Sequence, residues 1–146
     1  MAAIASISNG EAMSSVRTKL NSVITEINLL DPTDWVDYSA TSTIVGWSSR
    51  STSVLRYRII GKQIFVQFNL IGTSNSTSIT FTLPFNCIQQ TSIFAIAVDN
   101  GATTGAGLTQ TTLNSNVVNC YSNAFGATWT SSGSKIIRGQ FFYETA

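Results

Sequence analysis

The chain has 146 residues, of which 10% are charged and 43% hydrophobic, with a net charge of +1 and no histidine. That length suits one domain, burying about two-thirds of the surface its unfolded chain exposes, and leaves no room for a second full one. Without histidine the chain lacks the usual general base near neutral pH and the usual nitrogen ligand for zinc, which excludes Ser-His-Asp and Cys-His triads.

Ordinary soluble proteins carry about 25% charged residues, so the polar surface here must have another source. Twenty serines and 19 threonines supply it, a mixture that suits exposed strands and turns better than exposed helices. Charge is unevenly spread. Residues 1–37 hold Arg17 and Lys19 against five acids, a net −3, whereas residues 38–143 hold six cations against Asp99 alone, a net +5. Six cations without a Lys/Arg run are too dilute for a nucleic-acid surface, and no nucleic-acid partner is expected.

At the N-terminus, residues 1–7 have neither the basic region nor the apolar core of a signal peptide, and no stretch approaches the roughly 18 apolar residues of a membrane span. No membrane insertion is expected. Ser8 and Glu11 have capping-box spacing, predicting a helix that starts near Asn9 and stops at Leu30, because Pro32 disfavours helical geometry at Asp31. Within it Met13, Val16, Leu20, Val23, Ile27 and Leu30 fall at 3-4-3-4-3 spacing. A seam this narrow is buried best against copies of itself, although one helix packed on its own β domain is the alternative; the mixture of residue types does not demand two strands and suits three at least as well. These six residues are therefore expected to trimerise the chain as a short coiled coil. Residues 31–43 read as a linker.

From Ile44 the hydrophobic period changes to two. Strands are expected at 54–60 and 63–71, joined by a Gly61-Lys62 turn, and then at 79–83, where Pro84 ends the third. Residues 93–98 are almost wholly apolar and predict a central strand covered on both faces. Asp99-Asn100-Gly101 predicts a turn, and the glycine-rich run 101–107 a hairpin tip. Weaker strands follow at 107–113, 117–122 and 127–130, and a last at 135–143. Seven or eight short strands after one helix indicate a mainly β fold, an antiparallel jelly-roll-like sandwich over residues 44–146. Several strands, the last above all, are apolar on both faces, and a subunit interface would cover the surplus.

Few residues carry chemistry. Glycoside hydrolysis needs two facing carboxylates, and before Glu144 the β region offers only Asp99. Asp31, Asp34 and Asp37 match no calcium loop and read as a solvated linker. Cys87 and Cys120 lack metal or redox spacing and read first as buried free thiols, with a disulfide between them as the alternative. No catalytic residue, metal or cofactor is expected. For ligand contact Trp35, Trp47 and Trp129, with Tyr38, Tyr57 and Tyr121, could stack on sugar rings, since each ring combines an apolar face with a polar tip; Trp129, Trp47 and Tyr121 are the candidates chosen. Trp129, in its Gly/Ser/Thr-rich setting, leads because binding residues favour loops.

Three stretches carry a resemblance. They are Asn9-Gly10-Glu11 with Arg17-Thr18-Lys19-Leu20-Asn21, then the course from Tyr57-Arg58-Ile59-Ile60-Gly61-Lys62 through Ile71-Gly72-Thr73-Ser74-Asn75-Ser76-Thr77 to Phe81-Thr82-Leu83-Pro84, and the aromatic C-terminal strand. Together they resemble phage appendage proteins of the tail-fibre and head-fibre kind. The resemblance implies a non-enzymatic virion protein and a homotrimer attached to other virion proteins through its N-terminal helix. It also implies an exposed β head that binds a host-surface glycan or protein. The chain departs from the family in lacking a long shaft, since only residues 31–43 separate helix from head. A soluble trimeric jelly-roll lectin or ligand, or a capsid decoration protein without receptor binding, would share the architecture.

Overall fold

A computed structural model describes Gly10, residues 12–30 and residues 34–146, apart from the side chains of residues 26–30 and of Thr103 and Thr104. The proposed capping pair Ser8 and Glu11 lies outside the described residues, as do the side chains of Ile27 and Leu30. Helix α1 spans Met13–Leu30, and the Ala12 carbonyl accepts its first bonds, from the Ser15 and Val16 amides. The hydroxyls of Thr18, Ser22 and Thr25 each bond back to the carbonyl four residues earlier, so they satisfy themselves within the helix and reach no other element.

Nine strands follow among the described residues: β1 Val36–Asp37, β2 Ile44–Val45, β3 Trp47–Ile60, β4 Gln63–Ser74, β5 Ile79–Cys87, β6 Ser92–Asp99, β7 Ala102–Thr111, β8 Ser115–Tyr121 and β9 Gly133–Glu144. They form one antiparallel sheet in the order β1-β3-β4-β9-β6-β7-β8-β5-β2. The antiparallel, mainly β character anticipated from the period-two pattern is the one adopted. The strands do not separate into the two sheets of a jelly roll, because four register pairs, Ile96↔Arg138 through Asp99↔Lys135, stitch β6 to β9 and keep the hydrogen bonding continuous.

That sheet curls on itself as a half-barrel, with one face inward. Phe68 on β4 and Phe81 on β5 belong to strands far apart in the pairing order, yet their rings lie 5.3 Å apart. Alternation sets which residues meet there. Ile64, Val66, Phe68 and Leu70 of β4 point in, with Ile79, Phe81 and Leu83 of β5 and Ile137, Phe141 and Tyr143 of β9. The chain crosses from one sheet edge to the other at Gly46, where φ is +93° and an added Cβ would sit 2.2 Å from the Ser78 carbonyl oxygen. Only glycine tolerates both constraints.

Several sequence expectations need correction. The linker ends earlier than residue 43: β1 pairs with β3 and Tyr38 is buried in the core, because its ring packs edge-on against Tyr57. Strand β5 runs through Pro84 to Cys87; the missing N–H shifts its pairing with β8 between Thr82 and Cys87 instead of ending it. Residues 101–107 contain the turn, with φ of 53° at Asn100 and 79° at Gly101, but the rest is strand β7, paired with β6 through a register shift at Ala97/Val98. Residues 127–130 form no strand. On β6 only one face is covered: Ala95 and Ala97 are buried while Phe94 is 70% exposed, since none of the described residues packs over it on the outside of the sheet.

Candidate ligand-binding face

The residues singled out for ligand contact fare differently. Trp129 is 2% exposed, and its Nε1 donates to the Cys120 carbonyl at 2.8 Å. Its ring fills the core and offers no face to a ligand, which corrects the first choice. The loop around it is polar in sequence, but the Trp129 amide is tied to the Thr77 carbonyl, and the ring is drawn into the curl. Trp47 is half-buried against the core cluster, and its Nε1 is buried without a partner. Tyr121 is half-buried on β8. The three do not converge. Cys87 and Cys120 are both buried and free, and burial pushes the Cys120 thiol well above its ordinary range.

Asp99 and Lys135 sit opposite each other on β6 and β9. Lys135 is fully buried, with Nζ 2.6 Å from Asp99 Oδ1 and donating to Thr130 Oγ1 and the Ser132 carbonyl at 2.6 Å each. Asp99 accepts in turn from the Thr130 amide and hydroxyl. Burial works to raise the Asp99 carboxyl's pKa, but the bonds from Lys135 and Thr130 outweigh it and leave it below the ordinary value. Every polar position of this cluster is used within the chain. It pins the segment before β9 to the β6–β7 turn.

The unpaired chemistry lies on the outside of β3, β4 and β9. Strand register sets rows across this face: Arg58, Phe65 and Phe142 in one, Arg56, Gln67 and Gln140 in the next, then Asn69 and Arg138. Trp35 completes the first row. Its ring lies over both arginines, 5.0 Å from the Arg56 guanidinium carbon and 5.4 Å from that of Arg58. Arg58 in turn covers Phe65 at 5.3 Å, and Phe65 and Phe142 stand 5.8 Å apart. Held on two cations, Trp35 is fixed against the sheet yet 38% exposed.

Three shallow clefts meet at Gln140. One of about 370 Å³ is lined by Trp35, Arg58, Phe65, Gln140 and Phe142. Another, of about 320 Å³, lies between Gln67, Asn69, Ile96 and Arg138. The third, of about 440 Å³, opens where β6 and β9 part beyond Arg138, between Thr91 and Ile93 on one side and Phe142 on the other. Their sizes fall near the lower end for small-molecule sites. The Nε of Arg58 and Oδ1 of Asn69 are buried here without hydrogen-bond partners. Among the described residues, neither Arg58 nor Arg138 forms an ion pair.

No protein-family model matches this chain, and no curated protein is significantly similar to it.

The sequence singles out Trp35 as one aromatic among six but does not assemble this face: Trp35 falls in the expected linker, and Arg56 and Arg58 are two of six dispersed cations. A usable signal existed: with strand period two, Arg56 and Arg58 share the face opposite Leu55. Nothing local in the sequence places Trp35 over them.

Proposed function

We propose that the chain is a trimeric virion structural protein of the phage fibre or spike kind, in which α1 trimerises and docks to the virion and the β body is presented to the host surface. One observation carries it: among the described residues, the helix seam has no cover from the rest of the chain. Met13 is 78% and Leu20 48% exposed, Val16 and Val23 are only half-buried, and α1 has no extensive contact with any strand. In proteins most helical stability comes from packing an apolar face, and α1 has neither an acidic residue in its first turn nor a basic one in its last; on this reading partner helices supply that packing. Phe94, Ile96 and Phe142, exposed on the sheet, add apolar surface of the kind that marks contact with other molecules.

A binding role fits the β body better than a catalytic one, because Asp99 is spent on Lys135 and the aromatic and arginine rows are arranged for contact. Light scattering on the purified protein tests the architecture. A trimeric mass at micromolar concentration is the expected result; a monomer sinks the spike.

A further inference from the structure

We infer that the cleft between Trp35, Arg58, Phe65, Gln140 and Phe142 binds an acidic saccharide, with a sugar carboxylate against the arginines and a ring face on the aromatics. This rests on the exposed-head reading and names its ligand class and site. Three features of the face converge on that chemistry.

The first is charge. Arg56, Arg58 and Arg138 rise from one side of the sheet, and the acids beside them are few: Asp37 is the register partner of Arg56, and Glu144 stands beyond Phe142 at the strand end. The Arg58 guanidinium has no countercharge among the described residues, and its Nε has no acceptor. A carboxylate meeting the guanidinium supplies that countercharge in the fork geometry arginine favours.

The second is stacking. Trp35 and Phe142 expose 38% and 55% of their surface. Trp35 is held by two cation–π contacts, so little order must be gained when a sugar's C–H face lies on it. The third is the amide set. Gln140 lies in all three clefts, with Gln67 beside it in register and Asn69 beyond. Primary amides carry both donors and acceptors, which is what vicinal hydroxyls require. Gln67 Oε1 is taken by Arg56 Nε at 2.5 Å, leaving its amide N–H groups for a ligand. A purely apolar partner would leave these amides and cations desolvated and unpaired, at a cost.

The test uses the full chain, with titration of Trp fluorescence and calorimetry against oligogalacturonate, a glucuronate-containing disaccharide, free glucuronate, and a neutral malto-oligosaccharide. Expected is binding of the acidic oligosaccharides, weakened at least about tenfold by Arg58→Gln and by Trp35→Ala, reduced by salt, and absent for the neutral sugar. Both variants are at the surface; a urea midpoint matching that of the parent checks that each is folded, and Phe142→Ala serves as a third if either is not. Free glucuronate bound as tightly as the oligomers would reduce the site to a carboxylate trap and overturn the saccharide assignment. So would equal binding of the neutral sugar, no binding of any acidic sugar at millimolar concentration, or a drop in oligomeric mass in the variants, which would make the face a contact between copies. A monomer that binds acidic sugar would end the spike and keep this site, and a trimer that binds none would do the reverse.

Discussion

Lys135 is the most deeply buried charge described, at 0% exposure, and it survives because three acceptors meet its ammonium. Asp99→Asn leaves that ammonium without a countercharge and should cost about 3 kcal/mol, read as a fall in the urea midpoint at pH 7. The pH dependence follows from the lowered Asp99 pKa. A carboxyl whose folded value lies below its unfolded value of about 3.9 stabilises fully above that value, and the contribution is lost as pH falls through the folded one. The gap between parent and Asp99→Asn should therefore narrow as the pH falls below about 4. Trp129→Ala, which empties a core position and orphans the Cys120 carbonyl, should cost about 4 kcal/mol. In the sequence Asp99 is only a lone acid and Lys135 one of six dispersed cations. Their pairing depends on the β6–β9 register, and nothing near either residue encodes it.

At the level of elements, turns and strands were legible where local chemistry decides them. Gly61-Lys62 and Asp99-Asn100-Gly101 are turns because their backbones need positive φ, which Gly and Asn tolerate. The alternation of Ile64, Val66, Phe68 and Leu70 alone fixed the inward face of β4. Gly46 and Gly61 separate local from tertiary demands. At Gly61 an added Cβ meets nothing within 4 Å, so Gly61→Ala should cost only about 1 kcal/mol of backbone strain. At Gly46 the same change drives a Cβ into the Ser78 carbonyl and should cost about 3 kcal/mol, which paired thermal melts would resolve. In α1, Leu20→Asp should lower the oligomeric mass seen by light scattering, because each copy would bury a carboxylate on the shared axis at several kcal/mol.

For the whole molecule, the core cluster among the described residues begins at Tyr38 and includes none of the described side chains of α1. A chain starting at residue 34 should therefore keep the β body's cooperative unfolding and its β-type circular dichroism while losing self-association. The opposite result, a truncated chain without a thermal transition, would mean that the β body needs the helix or the assembly to fold. The outer face fits the same division. Phe94 and Ile96, expected to be covered on both sides of a central strand, stand in solvent on a sheet that has only one inner face.

The sequence by itself determined the class of structure: one helix with a narrow apolar seam, then antiparallel strands with period-two alternation, because these patterns depend on residues a few positions apart. Only the tertiary structure decided that the strands close into a single curled sheet, that Trp129 lies inside, and that Trp35 lies over Arg56 and Arg58. Those outcomes turn on register between strands distant in sequence, and one residue of slip would send every side chain of a strand to the other face.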